Sequence, residues 1–328
     1  MIGKTIRIIA GLLISVFFLW LAFRKSDLSQ IWVILKGVRV ELIVIVFVIS
    51  CAGLMLRSYR WKTLGKKYDG VPWKSCFEAT AIGLMLNTFV PFRGGDLFQA
   101  YFLSRKTNLP KSYTLATVFL ERIMDLIPPL LMIIGGSFFV VLPEQISLGR
   151  LFVFLSVLFL LLGLFLYQRK RFIDVIENFM HQKHSAKIDR FLEHLAQAFV
   201  FMKDKQVLTK SIPLTLINWF IISNFSTYLL LNSLGIHINF LAVYLVLGIS
   251  ILSVAIPSSP GYVGTWEFFT MLALQVFHID KSTALSFAIL SHFMALLPTT
   301  LIGLYFFYVD IFIKKEHIRY DDSGETET

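Results

Sequence analysis

The feature that most constrains this chain is a series of long apolar runs that contain no charged side chain. They cover residues 8–23, 42–56, 126–143, 151–168, 211–266 and 282–309. An α-helix needs about 20 apolar residues to cross the hydrocarbon core of a bilayer. Only 16% of the residues are charged, against about 25% in a soluble domain. The sequence therefore excludes a soluble protein and predicts an all-α integral membrane protein.

Basic residues indicate how the chain is oriented in the membrane. Ten Lys or Arg lie between Arg57 and Lys111, and nine more lie between Arg169 and Lys210. Loops rich in these residues stay in the cytoplasm, so we place both segments and both termini there, in a bacterial inner membrane. The net charge of +10 is interpreted in the same way. The two segments share a side only if the apolar stretch 77–92 enters the membrane and turns back.

Two segments rich in Pro and Gly interrupt apolar stretches. Pro91-Phe-Arg-Gly-Gly-Asp and the segment 257–264 (PSSPGYVG) each lead into a second apolar stretch with an early acid, Asp96 or Glu267. Broken backbone at membrane depth is tolerated only against protein or a water-filled cavity. We therefore predict two opposed re-entrant hairpins around a cavity, as in inverted-repeat transporters. Residues 240–278 fit either such a hairpin, which we favour, or two full spans.

The predicted fold class is thus an all-α membrane protein with six to eight spanning helices and one or two re-entrant hairpins. One multi-pass domain is expected over residues 1–312. It includes a cytoplasmic loop, 168–210, whose apolar residues recur at helical spacing and predict a helix on the membrane surface. A short polar tail, 313–328, follows in the cytoplasm.

A cluster of charges lies inside the span that opens at Tyr113. Glu121, Arg122 and Asp125 are spaced to share a helix face. Each central charge costs about 2.5–3.5 kcal/mol to insert, so the three side chains must be paired or hydrated. Their sum of −1 leaves a carboxylate for Arg93 or for a proton. If Arg93 pairs with them at rest, a lipid phosphate must compete for it. A structural ion-pair cluster without a transport role is the alternative.

Other polar residues are weaker candidates. Asn87 is close enough to the first break to line the cavity, whereas His292 is expected to be a hydrogen-bonded packing residue. His181 and His184 are expected to be solvated on a surface loop. The sequence contains no Walker loop, dinucleotide glycine pattern or metalloprotease motif. We predict no metal and no cofactor.

Four motifs, taken in order, resemble the lysylphosphatidylglycerol synthase transmembrane-region family. They are Tyr59-Arg60-Trp61-Lys62, 87–99 (NTFVPFRGGDLFQ), Glu121-Arg122-x-x-Asp125 and 257–267 (PSSPGYVGTWE). The resemblance covers nearly the whole chain. It implies a flippase-like membrane domain, similar to the amino-terminal half of multiple peptide resistance factor, without the soluble synthase domain.

The resemblance also implies a path for a lipid headgroup. Its residues are Arg60, Trp61, Pro91, Arg93, Gly94, Asp96, Glu121, Arg122, Asp125, Pro257, Pro260, Gly261, Gly264 and Glu267, with Asn87 and Gly95 added from their place at the first break. The family usually has Glu at the position of Asp96 and often has Arg at that of Gln99. One headgroup contact is therefore expected to differ.

The predicted function is translocation of an anionic or aminoacylated phospholipid, or of a polyprenyl-phosphate lipid, between leaflets. One alternative is a lipid-modifying membrane enzyme that uses Glu121, Asp125 and Glu267 as acid and base groups. The other is a membrane partner subunit that transports nothing. The expected partners are membrane lipids with an anionic headgroup, together with a second copy of the chain or a partner synthase, and no nucleic acid.

Overall fold

The computed structural model describes residues 2–64, 70–139, 205–256 and 258–310, and all regular structure in these ranges is helical. The helices of these ranges are α1 (Ile2–Phe23), α2 (Leu28–Lys36), α3 (Val40–Thr63), α4 (Trp73–Phe89), α5 (Gly94–Thr107), α6 (Lys111–Ser137), α7 (Lys205–Ser233), α8 (Val243–Ser253), α9 (Thr265–Gln275) and α10 (Lys281–Tyr308). A π-helical stretch, Ile217–Ser223, lies inside α7.

The starts of several helices follow from local side-chain chemistry. The Asp27 carboxylate accepts hydrogen bonds from two backbone N–H groups in the first turn of α2. Asp280 does the same for one N–H group of α10. These carboxylates satisfy donors that have no partner within the helix. Helices α4 and α6 each begin directly after a proline, Pro72 and Pro110.

Within the described ranges, three helices are long and apolar enough to cross a membrane: α3, α7 and α10. Helix α3 exposes much of its apolar surface, since Val44 is 57% and Val48 61% exposed. Such a surface suits lipid better than water. The apolar parts of α1 and α8 are shorter, and residues 140–204 lie outside the described ranges. The predicted all-helical architecture is confirmed for the described residues, and the number of spans stays a prediction.

The first break joins α4 to α5 through a three-residue 3₁₀ turn, Pro91–Arg93. The two helices pack with their backbones very close together. A Cβ atom on Gly95 would lie 2.0 Å from the carbonyl oxygen of Gly83. Only glycine leaves room for this approach. Of the apolar stretch predicted over 77–92, residues 77–89 belong to α4, which begins four residues earlier, and residues 90–92 belong to the break that leads into α5.

The second break joins α8 to α9 and contains the turn Pro260–Tyr262. Thr270 of α9 donates a hydrogen bond to the Ser250 hydroxyl of α8 at 2.7 Å. Gly264 precedes α9 with φ at +94°, and a Cβ atom there would lie 2.4 Å from the carbonyl oxygen of Ser15 in α1. The break is thus packed tightly against the first helix.

The two breaks meet inside the bundle. Helix α4 packs along α10, and the second break contacts the carboxyl end of α4. A Cβ atom on Gly261 would lie 3.3 Å from the carbonyl oxygen of Thr88, the next-to-last residue of α4. Both predicted interruptions are therefore real breaks between helices. Their entry into a bilayer from opposite sides stays a prediction.

Some predicted features fall outside the described residues. They include Pro257, the tail 313–328, and the loop 168–210 as far as residue 204. The last six residues of that loop, 205–210, form the beginning of α7.

Candidate functional site

A network of charged side chains joins α3 to α6. Arg57 donates to Glu121 at 3.0 Å and to Asp125 at 2.8 Å. Arg60 donates to the same two carboxylates, at 2.9 Å and 2.7 Å respectively. Glu121 and Arg60 are almost wholly buried. The arginines are three residues apart and the acids four, so each pair occupies one face of its helix. Each carboxylate is thus held by both arginines.

Helix α7 closes this network from a third side. The Thr215 hydroxyl accepts a hydrogen bond from Arg60 at 3.1 Å. The indole N–H of Trp219 donates to Asp125 at 3.1 Å. Trp219 lies in the π-helical stretch of α7, where the wider turn shifts the side chains that follow relative to an α-helix. Asp125 therefore receives hydrogen bonds from Arg57, Arg60 and Trp219, and a longer one from Arg122 at 3.4 Å.

The first break lies at the edge of the same network. Arg93 has a left-handed backbone, with φ at +56°, and its Nε lies 3.5 Å from Oδ2 of Asp96. Asp96 also accepts a hydrogen bond from Asn87 at 2.9 Å. Its Oδ2 lies 3.1 Å from Nε of Arg122, which in turn pairs with Asp125 at 3.4 Å. Asp96 therefore links the break to the charges of α6.

The network carries one excess positive charge. Its described members are the arginines Arg57, Arg60, Arg93 and Arg122 and the acids Asp96, Glu121 and Asp125. The side chain of Arg93 is 41% exposed, against 17% or less for the other three arginines. Its ion pair with Asp96 is also longer than an ordinary hydrogen bond. The most accessible positive charge therefore lies at the first break.

This arrangement corrects the pairing expected between Arg93 and the acids of α6. Glu121 and Asp125 are neutralised by Arg57 and Arg60 of α3. Arg57 and Arg60 are more than 60 residues from these acids in sequence, and only the packing of α3 against α6 brings them into contact. Arg93 reaches α6 indirectly, because Asp96 lies between it and Arg122.

Gln99 is the position at which the resemblance to the family implies an arginine in many members. Its side chain is buried; its amide nitrogen donates to Glu121 at 3.4 Å, and its amide oxygen accepts from Arg122 at 3.4 Å. The residue is thus a bridge between neighbouring opposite charges. In this chain it does not add a charge to the cavity.

A buried histidine and glutamate hold the second break. Nδ1 of His292 lies 2.5 Å from Oε1 of Glu267, and Nε2 lies 2.7 Å from the carbonyl oxygen of Gly261. The other oxygen of Glu267 accepts from the backbone N–H of Gly264 at 2.6 Å. The Trp266 ring stacks on the imidazole, with centroids 5.4 Å apart and planes at 22°. His292 thereby attaches helix α10 to the segment between α8 and α9.

Two cavities adjoin these groups. A cavity of about 220 Å³, here called the break cavity, is lined by both breaks and includes Asn87, Arg93 and Tyr262 on its wall. A second cavity of about 260 Å³, here called the central cavity, is lined by residues of α3, α4, α7, α8, α9 and α10. Arg57 and Trp219 line it next to the charged network. Most of its hydroxyl groups come from α7 and α10.

Comparison with known proteins agrees with the resemblance seen in the motifs. The family model described as the lysylphosphatidylglycerol synthase TM region matches residues 8–303. The chain belongs to this family. The match includes α3 to α9 and both breaks, so the membrane character predicted from the apolar runs is confirmed at the level of the family.

Relatives of this lysylphosphatidylglycerol synthase TM-region protein carry names that assign no activity. UPF0104 membrane protein MJ1595 of Methanocaldococcus jannaschii is 25% identical over 324 residues, which cover 94% of this chain and 95% of that protein. MJ1078 of the same organism is 28% identical over 230 residues, or 69% and 94% of the two chains. PH1989 of Pyrococcus horikoshii is 24% identical over 323 residues, or 92% and 95%. No solved structure matches. These relatives are archaeal, so a bacterial inner membrane stays a prediction.

The family motifs converge on two places in the described structure. Arg60 and Trp61 lie on α3, and the Trp61 indole donates to the Thr117 hydroxyl of α6 at 3.2 Å. The polar residues of the first break and the charges of α6 form one network, whose predicted members are Asn87, Arg93, Asp96, Glu121, Arg122 and Asp125. Pro91, Gly94 and Gly95 belong to the turn and to the start of α5, next to this network. Pro260, Gly261, Gly264 and Glu267 form the second break. A lipid-binding role for these residues stays a prediction.

Three residues of the site were not predicted as site residues. Arg57 was counted only as a topology signal, although it lies one helical turn before Arg60 and matches the spacing of the two acids. The sequence around His292 does contain a signal for a functional site, since a titratable residue within an apolar helix is often functional. His292 is hydrogen-bonded, as expected, but its partners are at the second break. Nothing in the sequence around Trp219 indicated its contact with Asp125.

No three His, Cys, Asp or Glu side chains within residues 2–64, 70–139, 205–256 and 258–310 lie close enough together to hold a metal ion. The predicted pair His181 and His184 lies outside these ranges.

Proposed function

We propose that this protein moves an anionic, phosphate-bearing lipid between the two leaflets of a membrane. One observation carries the proposal. The two helix breaks meet at a cavity, and the most accessible arginine of a network with one excess positive charge lies on the wall of that cavity. A phosphate group bound at Arg93 would neutralise the excess. Membership of a family named for lysylphosphatidylglycerol synthase supports a role with lipids.

The surroundings of Arg93 suit a group that binds and releases an anion. A guanidinium can hold two phosphate oxygens at once through parallel hydrogen bonds. Arg93 can leave Asp96 at little cost, because Asp96 keeps its contacts with Asn87 and Arg122. The left-handed backbone of Arg93 shows that the packing around the break holds the residue in a conformation rarely adopted by a side chain of this size.

Helix lengths support placing the breaks at membrane depth. Helices α8 and α9 have 11 residues each, or about 16 Å of helix. The hydrocarbon core is about 30 Å thick, so neither helix reaches across it alone. A pair of such helices that enters and returns would bring the second break near the midplane. This supports the hairpin over two full spans for residues 240–278.

The cavities suit a headgroup rather than a whole lipid. Pockets for drug-sized ligands measure about 300–1,000 Å³, whereas the two cavities measure about 220 and 260 Å³. We expect the acyl chains to remain in the bilayer. Arg93 lines one cavity and Arg57 the other, and both belong to the same network. A phosphate that passes between the cavities would stay near a guanidinium.

Reconstitution in liposomes tests this function. Fluorescent phosphatidylglycerol, lysyl-phosphatidylglycerol and a polyprenyl-phosphate analogue are each supplied in one leaflet, and their translocation is measured. We expect protein-dependent translocation of at least one of them. Arg93→Ala should slow it by about 10- to 100-fold, because hydrogen bonds to a charged group contribute about 1.5–3 kcal/mol. Arg93→Lys keeps the charge but loses the two-pronged geometry, and should lie between the wild type and Arg93→Ala.

Arg105→Ala is the matched control, since Arg105 is an exposed arginine in the last turn of α5, the helix that begins directly after Arg93. It should leave the rate unchanged, while thermal unfolding in detergent checks that Arg93→Ala is folded. Failure of all three lipids to move, or an equal loss in Arg105→Ala, would contradict the proposal. Lipid mass spectrometry of cells with and without the protein distinguishes transport from the alternative of a lipid-modifying enzyme. The enzyme alternative predicts that one lipid species is missing from cells without the protein.

A further inference from the structure

The contacts of His292 determine how many protons the His292–Glu267 pair holds. Nε2 faces the carbonyl oxygen of Gly261 at 2.7 Å, and a carbonyl oxygen only accepts, so Nε2 must carry a hydrogen. Nδ1 faces a carboxylate oxygen of Glu267 at 2.5 Å. A hydrogen bond between these two atoms requires one proton, carried either by the imidazolium or by the carboxylic acid. The pair therefore holds one exchangeable proton in this conformation.

Removal of that proton would break one of the two contacts of His292, because a neutral imidazole has one donor nitrogen only. If the hydrogen stays on Nε2, the lone pair of Nδ1 faces an ionised carboxylate; if it lies on Nδ1, the lone pair of Nε2 faces the carbonyl oxygen of Gly261. Glu267 also accepts from the Gly264 backbone, and His292 donates to the Gly261 carbonyl. The two side chains together hold both ends of the 261–264 segment. The presence of the proton therefore decides whether His292 of α10 stays bound to both Glu267 and Gly261 of the second break.

The pair lies between the two cavities. Gly261, which His292 holds, lines the break cavity. Trp266, which stacks on His292, lines the central cavity together with Ser291, and the two are joined by a 3.2 Å hydrogen bond. His292 and Glu267 are themselves only 5% and 7% exposed. A proton can thus reach the pair from either cavity when a neighbouring side chain moves.

The pair is electrostatically separate from the arginine network. Glu121 and Asp125 each accept from both Arg57 and Arg60, and Asp125 also accepts from Arg122. Within the described part of the chain, the only charged or titratable partner of Glu267 is His292. The charged or titratable side chains that line the two cavities are Tyr262 and Arg93 in the break cavity and Arg57 in the central cavity. The other charged or titratable side chains on the helical segments packed against α9 and α10, and on α10 itself, are Lys36, Glu41, Cys51, Tyr59, Arg60, Lys62, Lys74, Cys76, Glu78, Tyr228, Tyr244, Lys281, Tyr305 and Tyr308.

We propose that His292 and Glu267 form a proton-binding site. The site exchanges its proton between the two cavities as the contacts of these side chains with each other and with the second break are broken and formed again. Proton movement is thereby coupled to lipid translocation. The coupling rests on the proposed function, whereas proton binding by the pair does not. The ligand is the proton alone, delivered and removed by water in the cavities.

Tryptophan fluorescence tests proton binding without any lipid assay. The purified protein in detergent is titrated from acid to alkaline pH, and Trp266, in contact with the imidazole, reports the change. We expect a one-proton step in the wild type that is lost in His292→Gln and in Trp266→Phe. Glu267→Gln should change the step, because the imidazole loses its anionic partner. His237→Gln is the control: His237 is exposed and bonds the amide of Asn232, so its replacement should leave the step in place.

A step that survives in His292→Gln, or no step in the wild type, would overturn the site. The Glu267→Gln titration keeps the test valid if His292→Gln does not fold, because an unchanged step in that variant also overturns the site.

Liposomes with an imposed pH difference then test the coupling. We expect the gradient to change the wild-type translocation rate several-fold, and the ratio of rates with and without the gradient to fall to one in Glu267→Gln. A wild-type rate that ignores the gradient overturns the coupling. If no lipid moves under any condition, the proposed function fails, and the fluorescence step alone still decides for or against the proton site.

Discussion

Arg60→Met is expected to lower the free energy of unfolding by about 3–5 kcal/mol, the usual cost of removing one partner from a buried ion pair. Arg60 is 1% exposed and donates to both Glu121 and Asp125. The substitution leaves two buried carboxylates that share Arg57 and the longer contacts of Arg122. Reversible unfolding in detergent, followed by tryptophan fluorescence or circular dichroism, measures the loss.

Two further variants show whether the loss arises from the charge. Arg105→Met removes an exposed arginine and should change stability by no more than about 0.5 kcal/mol. Glu121→Gln combined with Arg60→Met removes one of the two carboxylates that have lost Arg60, so the double variant should be more stable than Arg60→Met alone. An interaction energy of about 0.5–3 kcal/mol is expected for side chains in one network. Additive effects would mean that the contact between Arg60 and Glu121 contributes nothing.

Gly95→Ala is expected to cost about 3 kcal/mol or more, at the upper end of the range for overpacking. A Cβ atom at this position would lie 2.0 Å from the carbonyl oxygen of Gly83 and 2.5 Å from the backbone nitrogen of Asn87. Both atoms belong to the α4 backbone, so no flexible side chain can give way. The helices of the first break must separate, which displaces Asp96 and Arg93. We expect lower stability in the unfolding assay and loss of lipid translocation.

Gly135→Ala is the matched control for this clash. Gly135 also lies in a helix, near the end of α6, but among the described residues no atom outside its own stretch of helix backbone lies within 4 Å of where its Cβ would be. Alanine there should be neutral or stabilise the helix by up to about 1 kcal/mol. If Gly95→Ala were as stable as Gly135→Ala, the close packing of α4 on α5 would be contradicted.

The positions of the helices and of their breaks could be predicted because they depend on neighbours in sequence. The uncharged runs 42–56 and 282–309 correspond to α3 and α10, and the Pro- and Gly-rich segments correspond to the two breaks. Proline removes a backbone donor and glycine releases the backbone, wherever the rest of the chain lies. The boundaries were less accurate, since α4 begins at Trp73 while the apolar signal begins at residue 77.

The charged residues of the site could be identified, but their partners could not be assigned. The cost of burying Glu121, Arg122 and Asp125 follows from their place in an apolar helix, so the need for partners was visible. The identity of those partners depends on which faces of α3 and α7 turn toward α6. The sequence alone therefore places Arg57 among the loop charges. It also pairs Arg93 with carboxylates that form ion pairs with Arg57 and Arg60 in the structure.

By itself, the sequence determined that this chain is helical and apolar, that its helices break at two places, and that buried charges must be compensated. Only the tertiary structure decided that the breaks meet, that the network has one excess positive charge beside a cavity, and that His292 lies against Glu267 and Gly261 between two cavities. Helix formation and breaking are governed by backbone geometry over a few residues. Ion pairs and proton sites instead depend on distances of about 3 Å between side chains far apart in sequence, which only the packing of whole helices sets.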